Sequence, residues 1–122
     1  MPFSDVHRPL YEVKANLFKG LAHPFRIRIL ELLSDSDELS VAELLEETGL
    51  EASHLSQHLS VLRRYRLVVS DRRASHVFYR LADRRTAEML AVARALLLEI
   101  LRSDGERLDE ANALPALAAS PR

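Results

Sequence analysis

Ser53, His54, Ser56, Gln57 and Ser60 lie close together in the chain, and Arg63 and Arg64 follow directly. Hydroxyl, imidazole and amide groups can donate and accept hydrogen bonds, and guanidinium groups pair with phosphates or with guanine edges. Plotted at about 100° per residue, Leu55, Leu59 and Leu62 share one side of a helix, while Ser53, Ser56, Gln57, Ser60 and Arg64 share the other. One side packs; the other is small, polar and hydrogen-bonding. Beyond this stretch, Leu67 to Ser70 and His76 to Leu81 are rich in β-branched and aromatic residues and flank a basic connection, Asp71 to Ser75. The pattern predicts a helix followed by a basic β-hairpin. Such a helix can enter a DNA major groove, and the hairpin can hold phosphates beside it. Ser53, His54, Ser56, Gln57 and Ser60 are therefore candidates for reading bases. Arg63, Arg64, Arg72, Arg73 and Arg80 are candidates for phosphate contact, joined by His76 on the hairpin.

Charge distribution supports this reading where net charge does not. Residues 51–80 hold six arginines against one Glu and one Asp, yet the whole chain is formally −1. Residues 31–51 carry eight acids and no base, and residues 1–30 balance to +3, so the molecule should be electrically polar. The acidic run reads first as a solvated helix face. Absence of cysteine removes disulfides, thiolate nucleophiles, thiolate metal sites and thiol redox chemistry. No apolar run approaches the roughly 18 residues of a membrane span, and the opening MPFSDVHRPL lacks a signal-peptide core. A cytoplasmic protein is expected. Enzymatic chemistry is not expected either: no Ser/His/Asp order, glycine-rich phosphate loop or pair of acids in an apolar setting appears.

The histidines leave alternatives open. His54 and His58 are four apart, a helical spacing that can chelate a transition ion. On the wheel they flank the polar face, which makes His54 a DNA contact and His58 a packed, hydrogen-bonded residue bordering the leucines. No cofactor is expected; the alternative is a nickel or zinc site assembled from His7 or His23 with acids of a partner chain.

The elements that must position these groups follow from periodicity and capping. Leu10, Val13, Leu17 and Leu21 predict a first helix over 9–21, opened by Pro9, with Tyr11 and Phe18 alongside. Pro24 marks a second start, and Phe25, Ile29, Leu32 and Leu33 form its expected buried stripe. Arg26 and Arg28 are surface or structurally paired charges, or else phosphate contacts. Residues 34–39 read as a polar break, and Ser40 with Glu43 forms a capping box before a third helix that Gly49 ends. Two short helices joined by a tight turn make a helix-turn-helix. Asp83 can cap a long last helix over 84–102, whose stripe of Met89, Leu90, Ala93, Leu96, Leu97, Ile100 and Leu101 is wider than one small domain covers. With the first helix it would form a homodimer interface through Tyr11, Leu17, Met89, Ala93, Leu96, Leu97 and Ile100; the alternative is that it only roofs its own domain. The expected organisation is a flexible N-terminus at 1–8, one winged helix-turn-helix domain at 9–102, mainly α with a small β-hairpin wing, and a disordered tail at 103–122.

In order, the first helix, LAHPFRIRILELL, ELSVAELLEETGL, SHLSQHLSVLRRYRLV and VFYRL resemble the ArsR/SmtB family of bacterial winged-helix repressors, over roughly residues 10–102. The resemblance implies a homodimer that occupies an imperfect palindrome in a promoter and leaves when an effector binds. It places the recognition helix at Glu51 to Tyr65 and the wing at Val68 to Arg80. Two departures stand out. The wing tip, Arg73-Ala74-Ser75, has no glycine, so a loop longer than two residues is expected. The family's sensor positions are also vacated: Ser40 and Ala42 stand where metal sensors have cysteine, and Asp83, Arg85, Leu96 and Glu99 stand where the last-helix carboxylate and histidine pattern falls. The implied protein is a repressor that is metal-independent or is aided by a co-repressor protein. A dimeric winged-helix adaptor acting through protein contacts is the reading from another class.

Overall fold

The computed structural model describes residues 8–105. Pro9, in an extended conformation, hands the chain into α1 (Leu10–Leu21), its carbonyl accepting from the amides of Glu12 and Val13. After a two-residue break, α2 (Pro24–Ser34) begins at the proline, as the sequence predicts. Its N-cap is His23, whose Nδ1 accepts from the Phe25 amide at 3.1 Å. Arginines from later in the chain close the C-terminal ends of both helices. Arg26 donates to the carbonyls of Gly20 and Lys19 at 2.8 and 3.2 Å. Arg84 donates to those of Leu33, Ser34 and Ser36 at 3.1, 2.6 and 3.4 Å. Last-turn carbonyls lack helical donors and carry the negative end of the helix dipole, so a guanidinium satisfies both deficits. Arg26 thereby serves structure, one of the two roles its sequence context allows. Arg28 pairs loosely with Glu31, at 3.9 Å.

The polar break hides a strand. Leu39–Ser40 form β1, which pairs antiparallel with a later strand through Leu39↔Tyr79 and Ser40↔Phe78. Two residues are too few to show alternation, so periodicity gives no sign of it. Ser40 also caps α3 (Val41–Thr48): its side chain accepts from the Glu43 amide at 3.1 Å while the Glu43 carboxylate accepts from the Ser40 amide at 2.8 Å. Such a cap typically contributes about 1 kcal/mol. Gly49 then takes the left-handed conformation, φ 70°, that ends the helix.

The next helix, α4 (Ala52–Arg64), buries Leu55, Leu59 and Leu62. It stops in a paired arrangement: the Leu67 amide donates to Leu62 at 2.9 Å and the Arg66 amide to Arg63 at 3.0 Å, with Arg66 left-handed at φ 61°. This is the Schellman ending, with arginine where glycine is usual. Leu67 and Leu62, the apolar pair that accompanies it, are both buried.

Two antiparallel strands, β2 (Val68–Arg73) and β3 (His76–Leu81), form the wing, and β3 lies between β1 and β2. Here the expectation of a longer loop is wrong. Arg73 pairs with His76, so the turn is Ala74-Ser75 alone, and Ala74 supplies the positive φ, 56°. A two-residue turn follows the strand twist only if a central residue goes left-handed, and here alanine bears that strain.

The core gathers Ile29, Leu30 and Leu33 of α2, Leu44 of α3, the three leucines of α4, and Leu67, Val68, Tyr79 and Leu81. Within α2 the sequence stripe needs adjustment: Leu30 is fully buried, while Phe25 and Leu32 are only half-buried. Gly20 is a close-packing point, where an added Cβ would lie 2.7 Å from Tyr65 Cγ just beyond α4. The last helix, α5 (Arg85–Ser103), packs its first turns on the core through Ala87, Met89 and Leu90. Farther along, Val92, Leu96, Leu97 and Ile100 remain exposed. Of the expected tail only Ser103 to Gly105 is described, and Ser103 still belongs to α5; of the expected N-terminal segment only Arg8 is, and it pairs with Glu12 at 3.2 Å. Residues 1–7 and 106–122 lie outside the described residues.

Candidate nucleic-acid interface

Burying three leucines turns the opposite side of α4 outward, and Ser53, His54, Ser56, Gln57, Ser60, Arg63 and Arg64 are all exposed. Ser53, Gln57, Ser60 and Arg64 make the ridge of this face; the other residues lie on its two flanks. Toward α2, a shallow groove of about 520 Å³ is lined by Arg26, Ser56, Gln57, His58, Ser60, Val61 and Arg64. Toward the wing, a crevice of about 400 Å³ is lined by Ser56, Ser60, Arg63, Ser70, Arg72, Val77 and Tyr79. Arg63 Nη1 reaches across it to the Tyr79 hydroxyl oxygen at 3.5 Å.

Alternation along the wing divides its arginines. The pairs Val68–Leu81, Ser70–Tyr79 and Arg72–Val77 face α4; Val69–Arg80, Asp71–Phe78 and Arg73–His76 face away. Arg72 therefore joins Arg63 in the crevice, whereas Arg73, His76 and Arg80 lie on the reverse of the sheet. Arg73 is also engaged there: its guanidinium lies 3.9 Å over the Phe78 ring, pairs with Glu38, and approaches Asp71 at 3.3 Å. The hydrogen bond to Glu38 is the main cause of its raised pKa. Nothing near Arg73 in the sequence points to this partner, because Glu38 is brought beside the wing by the pairing of β1, which begins at the next residue, with β3.

His58 packs, as expected, at the edge of the leucine stripe, but the expected hydrogen bond is not formed among the described residues, and rings are its neighbours instead. Its ring stands 4.4 Å from that of His23 and 6.2 Å from that of Phe25. Burial, then the neighbouring His23, Arg26 and His54, lowers its pKa below 6.5. His54 is exposed. At the positions of the vacated sensor pattern, Ser40 is committed to its helix cap and Glu99 pairs with Arg102 at 2.9 Å. Asp83 holds Arg85 with both carboxylate oxygens and is pulled down to a pKa of about 2, chiefly by that bond and by the Arg85 amide. Among the described residues no group of three or more His, Asp or Glu side chains converges as a metal site would require. His7 lies outside them.

The expected interface residues divide as well. Tyr11, Ala93, Leu96, Leu97 and Ile100 are exposed, joined by Leu10, Phe18 and Val92, whereas Leu17 and Met89 pack inward against the subunit's own core.

Residues 23–70 match the model of the bacterial regulatory proteins of the arsR family. An HTH-type transcriptional regulator of Mycobacterium tuberculosis, Rv0081, is 53% identical over 94 residues, 76% of this chain and 82% of its own. The chain belongs to the ArsR family. The crystal structure of Rv0081 superposes on this ArsR-family fold with a TM-score of 0.73 at 50% identity, covering 80% of this chain and 97% of that one. The biofilm growth-associated repressor of Xylella fastidiosa is 37% identical over 90 residues, 74% of this chain and 77% of its own. A homodimeric winged helix-turn-helix DNA-binding domain from Mycobacterium bovis matches with a TM-score of 0.69 at 29% identity, over 77% of this chain and 86% of that one. This ArsR-family protein is a DNA-binding transcriptional regulator with a winged helix-turn-helix. Tyr79 and Ser70, which share the crevice with the candidate residues, escape a sequence reading. Their alternation with Phe78 and Val69 was the available signal.

Proposed function

We propose that the protein is a cytoplasmic homodimeric repressor that occupies an imperfect palindrome in a promoter, with no catalytic role. The carrying observation is the exposed polar ridge of α4, set between two grooves that hold arginines. A helix so faced offers side chains to base edges, while Arg64 on the ridge and Arg63 and Arg72 on the wing side offer guanidinium groups to phosphates. Ser53, His54, Ser56, Gln57 and Ser60 read bases; Arg63, Arg64 and Arg72 hold phosphates. Repressor names among the relatives support the sign of regulation.

The dimer reading rests on α1 and α5. They leave Leu10, Tyr11, Phe18, Val92, Leu96, Leu97 and Ile100 in water on one subunit. Burying a large apolar side chain is worth about 1.5–3 kcal/mol, so this surface favours a covering partner. A homodimeric relative supports a second copy as that partner, and two-fold symmetry calls for two half-sites. In sedimentation, Leu97→Asp should yield monomers; a stable dimer would place the interface elsewhere. Duplex from upstream of the protein's own gene should bind with the same affinity in nickel, in zinc and in chelator at fixed salt. A change with either metal would make the protein a metal-responsive regulator with a site of its own design.

A further inference from the structure

Tyr79 occupies an unusual position for a polar side chain. It sits on the central strand β3, opposite Leu39 on one side and Ser70 on the other, and is only 7% exposed. Its ring is core, yet it also lines the crevice between α4 and the wing, and its hydroxyl oxygen accepts from Arg63 Nη1 at 3.5 Å. A phenol oxygen that accepts one hydrogen bond still has its own proton to donate. Around it stand two guanidinium groups, Arg63 and Arg72, and the hydroxyls of Ser56, Ser60 and Ser70. Among the described residues no carboxylate lines the space: Asp71, between Ser70 and Arg72 in sequence, is on the reverse of the sheet beside Arg73.

Two cations and several hydroxyl donors without an acid make a seat for an oxyanion. We propose that this crevice holds one phosphodiester of the DNA backbone, and that Tyr79 donates its hydroxyl proton to a non-bridging oxygen of that phosphate. The inference rests on the duplex-binding reading above and makes it more specific. Tyr79 thereby becomes a DNA contact made from within the core: it fixes the phosphate against a rigid strand, while Arg63 and Arg72 supply charge. Because a phosphate contact carries no base information, its loss should weaken all sequences alike.

The test is Tyr79→Phe, which keeps the buried ring and removes only the hydroxyl. Thermal unfolding should be unchanged, while affinity for the upstream duplex and for random duplex should fall together, by about tenfold, the scale of one hydrogen bond to a charged group. A series of duplexes, each with one backbone phosphate replaced by a neutral methylphosphonate, locates the contact. Wild type should lose affinity at a position, repeated in each half-site, where Tyr79→Phe loses little more. Equal losses for both proteins at every position, or wild-type affinity in the variant, would overturn the seat while leaving duplex binding intact. Shifts at Ser70 and Tyr79 amides on titrating inorganic phosphate, with no such position in the duplex series, would assign the crevice to a free anion and overturn it too. Failure of the wild type to bind any duplex would remove the functional reading together with the seat.

Discussion

Arg72 and Arg73 are neighbours in sequence and opposites in the fold. Arg72 faces α4 across the crevice, while Arg73 lies on Phe78 and pairs with Glu38 and Asp71. A guanidinium already neutralised by two carboxylates releases few counterions when DNA arrives, whereas one without them releases about one. Arg72→Ala should therefore flatten the dependence of log K on log salt by about one unit, and Arg73→Ala by clearly less. Equal slopes for the two variants would put both arginines on the DNA. His58 gives a second prediction at this scale. Its folded pKa lies below the unfolded value of 6.5, mainly through burial, so the folded state binds its proton less readily than the unfolded chain does. The associated stability is complete above pH 6.5 and is lost as pH falls through the folded value. Urea midpoints measured from pH 7.5 down to 5 should decline more gently in His58→Gln than in the wild type; parallel curves would deny His58 that role.

At the scale of elements, ends and turns decide where the side chains stand. The α4 ending and the wing tip each place a non-glycine residue in the left-handed region, Arg66 at φ 61° and Ala74 at φ 56°. That conformation costs an ordinary residue about 1–2 kcal/mol, part of which glycine would return as greater freedom in the unfolded chain. Ala74→Gly should raise stability by up to about 1 kcal/mol without changing the register of β2 on β3. Destabilisation on chemical unfolding would mean that the turn is not the strained one seen here. Helices were legible in the sequence because their signals are local: Pro9 and Pro24 at starts, Ser40 with Glu43 at a cap, Gly49 at an end. The short strand β1 was not, since only its pairing with β3 defines it. Nor was the tight wing turn, because glycine is the usual signal for it and alanine holds it here. Long-range arginine contacts were hidden for the same reason; nothing near Arg84 in sequence points to the end of α2, 50 residues earlier.

Taken as a whole, the molecule separates three tasks: a leucine core that fixes α4 against α2 and the wing, a polar ridge turned outward, and an apolar surface on α1 and α5. The outward ridge was readable from the wheel because one helix carries it. Which wing residues join it was not, since that depends on sheet facing and on Glu38. The apolar surface was readable in part, because a wide stripe on α5 says that something must cover it; the sequence could not show that Met89 and Leu17 would be used internally. Charge is divided as well, with acids concentrated from the end of α2 through α3 and arginines around α4, which orients the protein toward a duplex as it approaches.

The central claim is that the ridge of α4 distinguishes one DNA sequence from another, and Gln57, an amide suited to adenine, stands on it. Affinities of wild type and Gln57→Ala for the upstream duplex and for a random duplex, measured at one salt concentration, test this directly. The variant should lose about 1–3 kcal/mol of discrimination, with random-duplex binding little changed. Equal loss on both duplexes, or none on either, would contradict it.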